Sequence, residues 1–312
     1  MRSLVPCGTL TAFLFSAAVL LLSTAALAAP KAAAPLDQVR IEQLTGAKGK
    51  LDEKAGVFKV SAPRADLKVT SAGVHITPPM GLTSWAAFTR AGKHVAVMGD
   101  IVLTEDQVNP VMSAALDGGL EVTALHNHFF WDNPKIMFMH IGGMGDEEKL
   151  ATGVGAVFAK IKETAGGKGV IPKADIDPAK STLDAKKLDA VFAGHGAPGD
   201  YKDGVYKIVV GRGAKMGGHQ MGKAMGVNTW AALAGSDDQA VIDGDFAMQE
   251  SELQPVLKSL RGSGIDIVAI HQHMTGEQPR ILFLHYWGVG KAANLAGAVV
   301  AALKETKHDS AP

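Results

Sequence analysis

The chain has 312 residues, of which 47% are hydrophobic and 20% are charged, so it contains enough apolar material for a large core. Its 31 Lys and Arg residues are balanced by 31 Asp and Glu residues. This balance excludes the classes of protein that attract nucleic acid or an anionic membrane through net charge. Any ligand must therefore be recognised locally.

The N-terminal segment has the pattern of a secretory signal peptide. Arg2 provides the positive end, residues 8–22 are apolar, and an Ala-Leu-Ala sequence at 26–28 places small residues before a cleavage point. The apolar run is shorter than the roughly 20 residues that span a bilayer. We predict that residues 1–28 are removed, which leaves a periplasmic or secreted protein without stable membrane insertion and with a mobile segment at 29–35.

An internal duplication organises the remaining chain. The motif MGLTSWAAF at 80–88 recurs 145 residues later as MGVNTWAAL at 225–233, a period far longer than that of solenoid repeats. Its aromatic residue, Trp85 or Trp230, is interpreted as core packing rather than as a pocket wall. The predicted organisation is a first repeat domain at 36–165, a Gly- and Pro-containing linker at 166–182, a second repeat domain at 183–307 and a tail at 308–312.

Both repeats show the same order of predicted elements. A short helix ends near Gly46 or Gly194, and a β-rich stretch with alternating apolar residues follows. A further strand then leads into a helix that begins at Glu105 or Glu250. Next come a His-bearing β-hairpin, closed by a Pro-containing turn, and a last helix. The sequence thus predicts an α+β fold made of two tandem copies of one unit, each a largely antiparallel sheet with helices on one face.

Six of the 11 histidines occupy matching positions in the two repeats. They are His126, His128 and His140 in the first repeat, and His271, His273 and His285 in the second. His126 and His128 are two residues apart on a predicted strand, so their side chains share a face. A hairpin centred on Pro134 would place His140 directly opposite His128, and Pro279 would centre the same arrangement in the second repeat.

A single histidine at a strand end is more often a residue with local hydrogen bonds than a metal ligand. Six matched histidines favour the metal instead, because three neutral imidazoles can converge at about 2.0–2.1 Å from a Zn-type ion. The only cysteine, Cys7, would leave with the signal peptide, so thiolate ligands are excluded. The cofactor is predicted to be a divalent metal, with Zn favoured and Fe, Mn or Cu as alternatives.

Two pairs of carboxylates accompany the histidines. Glu105 and Glu250 match and begin a helix, where each could be a fourth ligand, a catalytic general base, or simply a charge that is favourable at a helix N-terminus. Asp100 and Asp245 also match and could orient a ligand histidine. The sequence alone leaves these roles open.

The phrases MGDIVLTEDQVNPVM, VTALHNH, MGVNTWAAL and PRILFLHYWG resemble the LppY/LpqO family. That resemblance implies an exported bacterial protein and brings no known reaction with it. Some members are lipoproteins, whereas Cys7 here precedes the apolar run and is wrongly placed to accept a lipid.

Two functional classes follow from these observations. The first is a metal-dependent hydrolase that acts on a small molecule, and the second is a non-catalytic envelope protein that binds or buffers metal. A coordination position open to solvent would favour the enzyme, whereas a closed four-ligand site would favour binding. In both, the partners are a metal ion and at most a small molecule, and nucleic acid is excluded. A purely structural interaction module, the third reading, requires that the purified protein carry no metal.

Overall fold

A computed structural model describes residues 34–306. The predicted signal peptide at 1–28, most of the segment at 29–35 and the tail at 308–312 lie outside the described residues. Within residues 34–306, no helix combines the length and the apolar character that crossing a membrane requires.

Capping residues mark the ends of several helices. The Asp37 carboxylate accepts a hydrogen bond from the Arg40 backbone N–H at the start of the first helix, and Gly46 ends that helix in the left-handed conformation. Asp146 caps the third helix in the same way as Asp37 caps the first. The helices are α1 (Gln38–Thr45), α2 (Glu105–Asp117), α3 (Glu147–Glu163), α4 (Ala185–Val191), α5 (Leu253–Gly262) and α6 (Ala292–Leu303).

The strands of the two repeats follow the same order, except that no strand described in the second repeat matches β8. Those of the first repeat are β1 (Gly49–Asp52), β2 (Val57–Pro63), β3 (Val69–Ser71), β4 (Val74–Ile76), β5 (Thr83–Ala91), β6 (His94–Thr104), β7 (Glu121–His126), β8 (Asp132–Asn133) and β9 (Ile136–Gly145). Those of the second are β10 (Asp200–Lys202), β11 (Val205–Gly211), β12 (Ala214–Met216), β13 (His219–Met221), β14 (Asn228–Gly235), β15 (Ala240–Gln249), β16 (Asp266–His271) and β17 (Ile281–Gly290).

The two repeats share a single antiparallel sheet of 12 strands. Its order is β1-β2-β5-β6-β9-β7-β16-β17-β15-β14-β11-β10, so the second half repeats the first half in reverse. The halves join where Leu125 of β7 pairs with Ile270 of β16. The α+β class with a largely antiparallel sheet is therefore confirmed, and the duplicated units are fused edge to edge.

The six α-helices found within residues 34–306 pack on one face of this sheet and bury the main core against it. Representative buried residues of that core are Ile41, Val111, Val154, Leu188, Leu257 and Val299, one from each helix. On the opposite face, β3, β4 and β8 form a small sheet in the first repeat, and β12 and β13 form a hairpin in the second. Each covers a minor core, which contains Phe138 in the first repeat and Phe283 in the second.

The predicted hairpin register is wrong by four residues. His140 pairs with Ala124, not with His128, because β7 ends at His126 and the chain then forms a loop that includes β8. The second repeat shows the same shift, with His285 opposite Ala269. Since the shift is an even number of residues, His126 and His140 still share a face of the sheet.

Polar side chains from α2 and α5 bind the repeats to each other beside the central strands. Asn109 accepts a hydrogen bond from the Ile267 N–H (2.8 Å) and donates to the Ile267 carbonyl (3.3 Å). Gln254, its counterpart, bonds the N–H and carbonyl of Val122 at 3.0 and 2.9 Å. Both bonded residues adjoin a register irregularity, so these amides satisfy backbone groups that the neighbouring strand leaves free.

Candidate metal centres

The sheet register places an aspartate beside a histidine in each repeat. Asp100 of β6 lies directly opposite His140 of β9, and Asp245 of β15 lies directly opposite His285 of β17. All four residues lie on the face away from the helices, because their neighbours in sequence enter the main core. Side chains that are directly opposite on antiparallel strands are about 4.5–5.5 Å apart at Cβ, close enough to share a ligand.

Three imidazoles meet in the first repeat. The His126 and His128 Nε2 atoms are 3.2 Å apart, and the rings of His126 and His140 stack with centroids separated by 5.1 Å. Two nitrogens bound at about 2.0–2.1 Å to one tetrahedral ion would be separated by roughly 3.3–3.4 Å. The spacing of the two Nε2 atoms is therefore close to that of two ligands on one Zn-type ion.

The second repeat builds a similar and more compact group. The rings of His271 and His285 stack at a centroid distance of 4.8 Å, and the ring centroids of His271 and His273 are 5.0 Å apart. Ligand atoms of Asp245, His271 and His285 all lie within 4.8 Å of one another. The Asp245 carboxylate is also 3.4 Å from His273 Nε2, so one carboxylate and three imidazoles form the group.

Backbone carbonyls fix the ring orientation of one histidine in each cluster. The Nδ1–H of His140 donates to the Gly99 carbonyl (3.2 Å), and that of His285 donates to the Gly244 carbonyl (3.3 Å). Since a carbonyl can only accept, this pairing assigns the proton to Nδ1 and leaves the lone pair on Nε2. Histidines that bind metals are held by such a bond at the second nitrogen.

A phenylalanine holds the middle histidine of each cluster. The ring of His128 stacks on Phe138 with centroids 3.4 Å apart, and His273 stacks on Phe283 at 3.5 Å. Both phenylalanines are fully buried. They were not among the predicted site residues, although the two match in the repeats and each lies two residues before a candidate ligand, on the same strand face.

Several buried polar atoms of the clusters are left without a partner inside the described part of the chain. They are Asp100 Oδ1, Asp245 Oδ1, His126 Nδ1 and His271 Nε2. Buried polar atoms are normally hydrogen-bonded, so each such atom calls for an unseen ion or water. Carboxylate and imidazole atoms that lack partners in one cluster form a donor set suited to a divalent metal ion.

Burial also shapes the electrostatics of these sites. It lowers the pKa of His126, helped by the nearby His128 and His140, and it is the main cause of the lowered pKa of His128 and His271. These imidazoles are thus kept neutral, the form that binds metal. Burial raises the pKa of the Asp245 carboxyl, while the nearby His285 acts in the opposite direction. A cation beside this carboxylate would offset the cost of burying its charge.

The carboxylates beside the histidines are the aspartates, and the structure does not bring the predicted glutamates to that position. Glu105 begins α2 just after the end of β6, five residues beyond Asp100, and lines another cavity with Asn109 and Met137. Glu250 follows the end of β15, five residues beyond Asp245. At about 3.3 Å per residue, five residues of strand carry the chain away from the cluster.

Comparison with known proteins gives a family. Residues 39–160 and 187–305 both match the family described as Domain of Unknown Function (DUF1259). The chain belongs to this family. The two matches coincide with the two halves of the sheet, which confirms the internal duplication. No curated protein matches.

A solved structure, that of a trimeric bacterial microcompartment shell protein PduB, aligns with 82% of this chain and 89% of its own. The aligned residues are 12% identical, and the TM-score is 0.20. A likeness at that level supports no statement about function.

Proposed function

We propose that this protein binds two divalent transition-metal ions, one in each repeat, with Zn as the favoured metal. The observation that carries the proposal is the group of Asp245, His271 and His285, whose ligand atoms lie within 4.8 Å of one another. His273 supplies a further donor in the second site. The matching donors of the first site are Asp100, His126, His128 and His140.

Lewis-acid chemistry is the activity that such a centre supports. An ion held by imidazoles and one carboxylate can polarise an oxygen of a small molecule and promote its hydrolysis. The middle histidine of each cluster is exposed, so each site is accessible to a ligand from solvent. With all four donors bound, the shell of a tetrahedral ion is closed, so the hydrolase requires that this exposed histidine leave the ion and open a coordination position. The same exposure also suits rapid exchange of metal, which supports metal buffering as the second candidate.

Metal content is the decisive measurement. Protein purified without an affinity tag is expected to carry about two metal ions per chain by elemental mass spectrometry. Joint replacement His128→Ala and His140→Ala should halve that content, and His273→Ala with His285→Ala should do the same. The matched control is His94→Ala with His219→Ala, since both residues are exposed histidines outside the clusters.

The outcomes separate the candidates. Wild-type protein without metal after reconstitution would contradict both. Two bound ions with turnover of small phosphate or carboxylate esters would support the hydrolase, whereas two readily exchanged ions without turnover would support buffering. Complete loss of metal in one double variant would show that the halves share a single composite site.

We further propose that the mature protein is periplasmic or secreted. Support comes from the signal-like segment at 1–28 and from the resemblance to the exported LppY/LpqO family. Intact-mass measurement on protein from the native cell envelope should give a chain that begins near Ala29. A chain that retains the apolar run at 8–22 would contradict removal of the segment.

A further inference from the structure

The proposed metal site of the second repeat opens into a broad cavity. The cavity has a volume of about 670 Å³ and includes Asp245 and His273 in its wall. The other lining residues are Lys207, Val209, Lys223, Ala224, Gly226, Asn228 and Trp230. Trp230 thus lies in a cavity wall, where the sequence predicted core packing. Asp245 is the sole carboxylate in this lining, so the basic side chains face the metal site without local neutralisation.

The two lysines are held at the cavity by specific contacts. The Lys207 ammonium lies 4.5 Å above the centroid of the Trp230 ring. The aliphatic stem of Lys223 passes across Gly211, within 3.2–3.7 Å of the position that a Cβ would take there. The Asn228 amide donates to the Lys223 carbonyl (2.9 Å) and so fixes the turn that presents this lysine.

Neither ammonium pairs with a carboxylate in the part of the chain that the structure describes. Within residues 34–306, the ion pairs involve other lysines, arginines and His273, and none includes Lys207 or Lys223. Two ammonium groups without a carboxylate partner beside this metal site are suited to an anionic ligand.

The corresponding region of the first repeat lacks one of these charges. Lys59 lies over Trp85 at 3.9 Å, as Lys207 lies over Trp230. The residue that matches Lys223, however, is Pro78. The paired lysines are therefore a property of the second repeat, which suggests that the two sites have different ligands.

We infer that the second site binds a small molecule with a phosphate group, such as a phosphate monoester. This inference rests on the proposed metal site, because a divalent ion and two ammonium groups against one carboxylate leave an excess of three positive charges. A phosphate monoester carries a charge of about −1.5 to −2 at pH 7, whereas a carboxylate carries only about −1. The excess charge therefore favours phosphate, and the open cavity leaves room for the organic part beside Trp230.

The test compares two ligands that share a ring and differ in the anion. Calorimetry on Zn-loaded protein at constant ionic strength should show that phenyl phosphate binds at least about tenfold more tightly than benzoate. Lys223→Met and Lys207→Met keep the apolar stem and remove the charge, and each should weaken phenyl phosphate binding about tenfold. Lys258→Met, an exposed lysine on α5, is the control and should have no effect.

Metal content measured on the same samples separates the two proposals. Wild-type protein that holds no metal would contradict the proposed function itself. Protein with full metal content whose phenyl phosphate affinity is unchanged in both lysine variants would overturn the present inference alone. Equal affinity for benzoate and phenyl phosphate would also overturn it.

Discussion

Asp245 lies directly opposite His285 in the sheet, and its carboxylate is buried beside two further imidazoles. The side chain has one oxygen without a partner within the described residues, and burial raises its pKa. A buried carboxylate without a cation costs free energy, and a bound metal ion would remove that cost. Position and charge together support the proposal that Asp245 is a metal ligand.

We predict that Asp245→Asn weakens metal binding at the second site by about tenfold or more, because the amide keeps the shape but loses the charge. The first site should keep its metal. Asp243→Asn is the matched control, since Asp243 is exposed and only two residues away on the same strand. Metal affinity measured by competition with a chelator checks this. An equal affinity in both variants would show that the carboxylate charge does not contribute.

Acid should release the metal only below the ordinary titration range of histidine. Burial lowers the pKa of His126 and His271, so these imidazoles stay neutral, and able to bind metal, at lower pH than a free histidine. Binding is complete above the folded-state pKa and is lost as the pH falls through it. Equilibrium dialysis from about pH 7.5 to about pH 4.5, with circular dichroism to confirm folding, should place the midpoint below about 6.5. A midpoint above that value would contradict the expectation.

The sequence predicts much of the unit but little of how the two units join. Duplication, helix limits such as Gly46, and the grouping of the histidines all follow from local patterns. The single sheet depends on pairing between Leu125 and Ile270, and nothing in either strand specifies which edge it will meet. Which two strand edges pair is decided by tertiary packing. The alternation of apolar and polar residues along a strand does not encode that choice.

The site itself was predicted only in part, for similar reasons. A hairpin centred on Pro134 requires a tight turn, but the chain leaves β7 at His126 and forms β8 before it returns. The histidines still converge because an even register shift preserves the strand face. The carboxylate beside His140 is that of Asp100, not that of Glu105, because Asp100 lies opposite His140 in the pairing of β6 with β9. The spacing of residues in the sequence does not give the register of that pairing.

Phe283 should matter for metal binding as well as for stability, because His273 stacks on its ring. We expect Phe283→Leu to loosen His273 and to weaken metal binding at the second site several-fold, by analogy with other residues that orient ligands. Phe246→Leu is the control, a fully buried phenylalanine in the main core on the helix face. Both should lower the unfolding free energy by about 1 kcal/mol. Equal metal affinity in the two variants would assign Phe283 to packing alone.

Metal removal should destabilise the fold, because the ligands come from separate strands that a bound ion ties together. At a free Zn concentration of about 100 times Kd, binding to one site adds about 2.7 kcal/mol to the unfolding free energy. Differential scanning calorimetry with and without a chelator measures the shift in Tm. The variant His126→Ala with His271→Ala should show no such shift. A shift as large as that of the wild type in this variant would place the metal elsewhere.

The side-chain amides of Asn109 and Gln254 clamp the two repeats together through hydrogen bonds to backbone groups. We therefore expect the two halves to unfold together. Gln254→Ala would leave the N–H and carbonyl of Val122 without their partner, which should cost about 1–3 kcal/mol of unfolding free energy. Asn109→Ala should act in the same way through Ile267, because its amide bonds the same pair of backbone groups. Urea unfolding followed by tryptophan fluorescence measures both, with the exposed Gln220→Ala as control. A single transition that moves to lower urea in both clamp variants is expected, whereas two separate transitions in the wild type would show that the repeats are independent folding units.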